Sequence, residues 1–428
     1  MNLKEVSQYC VKKLNELGAD ESQVYTSQNY FDELVYENDR FTLMRSVDDY
    51  SIDLQVIKDE KEGRYNINKL DKEELDIACT KVLEIASGGK KDSAFAIAPA
   101  SAKCSKVHGE KEANREGMYH MIDTFIKEAT TKYPIIGLRS ATCKFYKSKV
   151  SMQNSNGAEN EIEKSHYNFG TLFNAQEGDK SSSMNYDSFD FNTFEKSAFE
   201  QSSLDRSLSE TTMHLNTKKI GKTFSGKAII SPQCINGFIQ MMLGHLGTGK
   251  LISKTSRLQD RIGEKVASKL FNLKSMPQDK VFANPNFLTS DGIETKNIDI
   301  FNEGVLQNYL LGLYGKNKLE ASEVTNFASR LYMPKGEKSL EEMITEIDEG
   351  ILIGRFSGGQ PNANGDLSGI AKNSFYIKDG KIAFALSETM ISGNLFSFFE
   401  SMWGSSSDIY NNGTCHLPYV GVDDVTIS

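Results

Sequence analysis

The chain has 428 residues, 39% hydrophobic and 25% charged, with 49 Lys plus Arg against 58 Asp plus Glu and a formal charge of −9. That balance argues against a nucleic-acid binder, which shows a basic footprint, and no apolar run reaches the roughly 18–20 residues of a membrane span. The start, MNLKEVSQYC, has no apolar signal-peptide core, and the six cysteines form no C-x-x-C pair; together these predict a cytoplasmic chain with free thiols.

Length suggests two or three domains. The first segment, 1–90, reads as helix, strands, helix. Val6, Cys10, Leu14 and Leu17 recur at helical spacing, with Gly18 as the stop. Ile52, Leu54 and Val56 alternate as a half-buried strand does, and Tyr65 and Ile67 continue the pattern after Gly63. Asp71 with Glu74 is spaced as a capping box. It opens a helix carrying Leu75, Cys79, Val82, Leu83 and Ala86.

The middle segment, 91–216, begins with small, polar, aperiodic residues, so 88–112 reads as a linker. A helix follows with Met118, Ile122, Phe125 and Ala129 on one face, ending before Pro134. Asn154-Ser155-Asn156-Gly157 marks a turn after Val150 and Met152. Tyr167, Phe169, Thr171 and Phe173 alternate as a strand. A further helix is predicted from Asn192 and Glu195 to about His214.

The last segment, 217–428, opens with a buried strand at Ala228-Ile229-Ile230 and a helix with Pro232 in its first turn. Leu258, Ile262, Val266 and Leu270 have helical spacing. From about 280 onward, short strands and Gly/Asn turns suggest an antiparallel sheet or open barrel. The fold class is α+β: an N-terminal helix and strand region, then a mainly antiparallel C-terminal β domain with flanking helices.

Familiar site motifs are incomplete. Gly244-x4-Gly249-Lys250 matches a phosphate loop until Leu251 replaces the metal-binding hydroxyl. Asn362-Ala363-Asn364-Gly365 resembles part of a calcium loop, but Gln360 and Ala371 stand where anchoring carboxylates belong. None of the six histidines is followed by Glu, so there is no H-E-x-x-H, and there is no G-x-S-x-G elbow.

The C-terminal third carries Gln360-Pro-Asn-Ala-Asn-Gly-Asp-Leu-Ser-Gly369, then Ser374-Phe-Tyr-Ile-Lys-Asp-Gly-Lys-Ile382 and Glu388-Thr-Met-Ile-Ser-Gly-Asn-Leu395. This resembles the PmbA/TldD family of peptidases, once called modulators of DNA gyrase. There a G-D-[FY]-S stretch leads through a strand and turn into T-I-A-G-N-L; Leu367 and Ser392 depart from those residues. Pro334-x-Gly336-x-x-Ser339-Leu-Glu-Glu-Met-Ile344, Arg261-Ile-Gly-Glu-Lys-Val266 and Gly18-Ala-Asp-Glu-Ser-Gln-Val-Tyr25 are similar to further family segments, in the right order.

The resemblance implies which kind of subunit this is. TldD-like chains carry H-E-x-x-x-H and the catalytic metal; PmbA/TldE-like chains lack it. Here the slot reads Gln240-Met241-Met242-Leu243-Gly244-His245. Gln is a poor transition-metal ligand beside imidazole, and Met241 cannot take a proton from water as Glu would. His245 and Cys415 form at most a remnant ligand pair. The resemblance therefore implies no catalytic residue and no cofactor in this chain. Zinc is expected in a TldD-like partner, and a homodimer is the other assembly. The substrate is a peptide or unfolded chain. Gly358, Gly359, Gly365 and Asp366 either line a groove for it or serve as hairpin turns. The rival reading is a non-enzymatic protein that acts by association.

Overall fold

The computed structural model describes residues 1–100, 103–325 and 328–428. Two sheets organise the chain, and helices pack on both. In the first sheet the strands lie in the order Lys61–Ile67, Arg40–Lys58, Glu21–Glu37, Ile136–Asn154, Glu159–Glu177, Cys104–His108. Asn185–Phe191 also pairs with Glu159–Glu177. Glu21 to Glu37 pairs along its length with Arg40–Lys58, turning at Asn38 and Asp39, both at positive φ. Strand pairing crosses the aperiodic stretch after residue 90: Gln23 to Glu37 pairs with Ser140 to Asn154. Segments 1–90 and 91–216 thus build one sheet.

Leu3–Glu16 and Lys72–Gly88 cover one end of this sheet. Asn2 and Glu5 form a reciprocal capping box, and Val6, Cys10 and Leu14 point fully inward. Gly18 follows at φ +89°, the left-handed stop that the sequence suggested. Asp71 caps the second helix by accepting from the Glu74 amide. Gly63 lies beneath that helix. Arg115–Lys132 covers the rest with Met118, Ile122, Phe125 and Ala129, against Phe145, Tyr167, Phe169 and Phe173.

The second sheet has fourteen strands among the described residues and centres on Cys415–Ile427. That strand pairs antiparallel with Phe224–Ile230, Thr389–Asn394 and Gly404–Asn411, and parallel with Leu331–Tyr332. The sheet stays open, ending at Val305–Leu306 and Thr217–Lys218. Pro232–Leu243 and Leu395–Glu400 pack on it around Phe238, Phe398 and Phe399. The α+β class and the antiparallel C-terminal domain are as the sequence implied. All six cysteines are free and buried. No helix of the described residues is long and apolar enough to cross a membrane.

Three local expectations are corrected. The stretch 88–112 is not all linker, because Cys104–His108 pairs parallel with the Glu159–Glu177 strand. The helix expected from Asn192 begins only at Leu204. Upstream, Phe194 sits against Tyr167 and Phe191, with centroids 4.6 and 5.2 Å apart, and this packing replaces helical hydrogen bonding. The helix expected over 258–270 is absent. Gly263 takes φ +83°, and the amides of Gly263, Val266 and Ala267 bond to the carbonyls of Leu306 and Gly304. Ile262 and Leu270, two of the supposed core positions, are exposed.

A Cβ at Gly63 would lie 2.3 Å from the Val82 carbonyl oxygen and 2.7 Å from the Ala86 nitrogen. Both are backbone atoms, so the helix itself must move. Gly63→Ala is expected to lower stability by about 1–3 kcal/mol, read as an earlier urea midpoint; an unchanged midpoint would mean the helix shifts freely.

Candidate functional site

The slot Gln240–His245 straddles the end of a helix. Ser231 caps Pro232–Leu243 by accepting from the Cys234 amide at 3.3 Å. Gly244–Leu246 then tightens into a 3-10 turn. Gln240 is exposed and has no side-chain hydrogen bond among the described residues. Met241 is half-buried against the core.

His245 is buried at 4% exposure, its ring edge-on to Phe396 with centroids 5.1 Å apart. Lys250 Nζ stands 3.0 Å from Nε2, and the Arg257 amide 3.3 Å from Nδ1. Both neighbours are donors, and a neutral imidazole has one lone pair to offer them. Burial first, then the charges of Lys250 and Arg257, pushes the His245 pKa down to about 4. A cation arriving at this ring would have to displace one positive charge and sit beside another.

Cys415 lies elsewhere. Its Sγ donates to Asn412 Oδ1 at 3.2 Å, and burial pushes the thiol up to about 12. It lines a cleft of about 320 Å³ together with Gln233, Gly237, Met241, Tyr186 and Arg355. Gln233, Gly237 and Met241 are spaced four apart, one stripe of the helix. A Cβ at Gly237 would meet nothing within 4 Å, so the helix surface is open there. Met241 and Cys415 therefore share this cleft, while His245 is not among its lining residues. Among the described residues no three His, Cys, Asp or Glu side chains are grouped to hold a metal ion. The residues in the slot, an amide, a thioether and a histidine flanked by cations, do not fit zinc, and the Cys415 thiol stands apart from that histidine.

The glycines have distinct roles. Gly358 pairs with Gly369 across the hairpin, and Cβ atoms there would fall 2.4 and 2.6 Å from the Phe356 ring. Gly359 faces open space. Gly365 is at φ +92°, and a Cβ would reach 2.6 Å from Phe396. Asn394 Nδ2 donates to the Asn364 carbonyl and to Asp366 Oδ1, each at 2.9 Å, while its Oδ1 accepts from the Phe396 amide at 3.0 Å. Arg257 reaches the same Asn364 carbonyl at 2.6 Å and lies 5.1 Å from the Phe396 ring centroid. The G-D and G-N-L motifs and the slot's histidine thus meet at Phe396.

Sequence reasoning missed Arg355 and Tyr186 at the cleft, which belong to no motif. It also missed Lys250, weighed only as a phosphate-loop lysine, although it stands five residues from His245.

Two outcomes follow from this geometry. Hydrogen bonds from Asn394, then Asn362, hold the Asp366 carboxyl below the usual carboxylate range. Asn394→Ala is expected to raise the Asp366 pKa, seen by NMR titration, and to cost about 0.5–2 kcal/mol of cap energy; an unmoved Asp366 would refute the tie. The second concerns His245. Its folded pKa of about 4 lies below an unfolded value of about 6.5, so its stabilisation is complete above 6.5 and is lost as pH falls towards 4. The slope there is up to about 1.4 kcal/mol per pH unit. Urea unfolding across this window should show a shallower pH dependence in His245→Gln than in the native chain.

Residues 223–428 match the family described as PmbA/TldA metallopeptidase C-terminal domain. A relative described as metalloprotease PmbA homolog, from Buchnera aphidicola subsp. Acyrthosiphon pisum, is 24% identical over 217 residues, 50% of this chain and 48% of its own. The chain thus spans about half the length of that relative. A zinc metalloprotease TldD homolog of Saccharolobus solfataricus is 22% identical over 432 residues, 95% of this chain and 93% of its own. The crystal structure of TldE from Thermococcus kodakarensis superposes with a TM-score of 0.87 at 17% identity, covering 98% of this chain and 99% of that one. The match to the C-terminal domain, the shared fold and the G-D and G-N-L motifs locked around Phe396 agree: residues 223–428 form a PmbA/TldA metallopeptidase C-terminal domain, in a chain with the fold of TldE.

Proposed function

We propose that this chain is a PmbA/TldE-like subunit that works with a TldD-like partner carrying H-E-x-x-x-H, lacks peptidase activity alone, and contributes the peptide-holding surface of the assembly. The observation that carries the reading is the state of the slot. Met241 stands where a general base is needed, and His245 is held neutral between Lys250 and Arg257. Neither side chain can activate water for attack on a peptide bond. The partner would supply both the metal and the base.

The surface suits an extended chain. Among the described residues Arg355–Gly358 pairs with no strand other than Asp366–Lys372, and its Phe356 amide bonds to the Cys234 thiol of the helix beside it. The cleft beside Arg355 and Phe356 adjoins that strand. An unfolded segment can add to such an edge through main-chain hydrogen bonds, with side chains entering the cleft.

The test is reconstitution. The purified chain alone is expected to hold little zinc and to leave an unstructured peptide intact. Chelator-sensitive cleavage is expected when a TldD-like chain is added and the two co-elute. Cleavage by this chain alone, or about one tightly held zinc per chain, would overturn the proposal. Failure to associate with any H-E-x-x-x-H chain would favour the binding role instead.

A further inference from the structure

Arg355 stands where two clefts meet. One is the cleft of Met241 and Cys415; the other, of about 280 Å³, adjoins it through Tyr186, Gln233, Arg355 and Tyr410. The guanidinium carbon lies over the Tyr186 ring, 3.6 Å from its centroid, and the group donates to the Tyr186 carbonyl at 2.5 Å. That carbonyl is its only hydrogen-bond acceptor among the described residues, and no carboxylate pairs with it. A guanidinium carries five N–H donors in a planar fork.

The neighbouring charges do not complete it. Arg206, across the second cleft, is engaged by Asp408 at 3.2 Å and Glu341 at 3.4 Å. Asp187, the acid lining the first cleft, already accepts from Ser207 Oγ at 2.7 Å, Ser203 Oγ at 3.1 Å, Tyr410 at 3.2 Å and the Ser188 amide at 2.9 Å. Arg355 is therefore a half-buried cation, oriented by stacking, with most of its donors free. Tyr186 remains 62% exposed, and an exposed aromatic paired with Arg is the composition of an interaction hot spot. The cleft also presents Phe238, Met241 and Phe356, which suit an apolar side chain next to the charge.

We infer that Arg355 is a carboxylate anchor for peptides held in this cleft, taking either the C-terminal carboxylate or an Asp or Glu side chain through its planar fork. This rests on the reading that the cleft holds peptide. The stack on Tyr186 fixes the fork before the ligand arrives, so little side-chain freedom is lost on binding.

Calorimetric titration of the full-length chain tests it with one unstructured apolar hexapeptide in three forms: free acid, C-terminal amide, and amide with one internal Glu. The free acid is expected to bind about tenfold or more tighter than the amide, the worth of a charge-assisted hydrogen bond. Tight binding of the Glu-bearing amide would assign the carboxylate to a side chain; weak binding would assign it to the C-terminus. Arg355→Gln should bring acid and amide within about twofold, and Arg355→Lys should restore part of the difference, since it keeps charge without the fork. Equal binding of all three forms by the native chain would overturn the anchor and leave the peptide cleft standing. No binding of any form would overturn the peptide cleft itself, and the anchor with it.

Discussion

The strand Cys415–Ile427 is the constraint on which the C-terminal domain depends. It pairs with four others, and Leu417, Val420, Val422, Val425 and Ile427 are buried along it. Its first residue is the cleft cysteine, and near its end it pairs with the strand leading into Asn394. Gly421 allows the closeness, since a Cβ there would meet the Trp403 ring at 2.3 Å. One strand thus fixes both the floor of the cleft and the junction at Phe396. Its pairing with Phe224–Ile230 joins residues nearly two hundred apart, a non-local arrangement of the kind that folds slowly.

At that junction the motifs that mark the family act as structure. Asn394 caps the helix Leu395–Glu400 and ties down the Asn364–Asp366 turn. Gly365 supplies a left-handed turn and room for an aromatic ring. These residues hold shape and need no reacting group. The helix beneath carries Gln240 and Met241 and presents an open stripe at Gln233, Gly237 and Met241.

Where burial follows local periodicity, the sequence was legible. The faces of Lys72–Gly88 and Arg115–Lys132 and the alternation through Tyr167–Phe173 read correctly, because one apolar face meets one layer; on Leu3–Glu16 the reading holds for Val6, Cys10 and Leu14 but not for Leu17, which lies past the helix end and is exposed. The 258–270 stretch misled because its spacing is helical by coincidence: its amides bond to Leu306 and Gly304, far along the chain. Cys104–His108 was hidden because an edge strand paired in parallel needs little apolar pattern. At the site, Gln240, Met241 and His245 were visible as letters. The cations around His245 and the stacked Arg355 were not, because Arg257 and Tyr186 arrive from elsewhere in the chain.

The six buried cysteines have a consequence for how this protein can be watched. Cys10 and Cys79 lie in the core beneath the first two helices, Cys143 in the aromatic core of the same sheet, and Cys234 and Cys415 in the core of the second. Burial raises the pKa of Cys143, Cys234 and Cys415, so near neutral pH the folded chain offers almost no thiolate there to an alkylating reagent. These three cores thus carry their own native reporters. The rate at which each sulfur becomes modified measures the opening of the layer that encloses it, and the order of labelling would give the order in which the layers come apart.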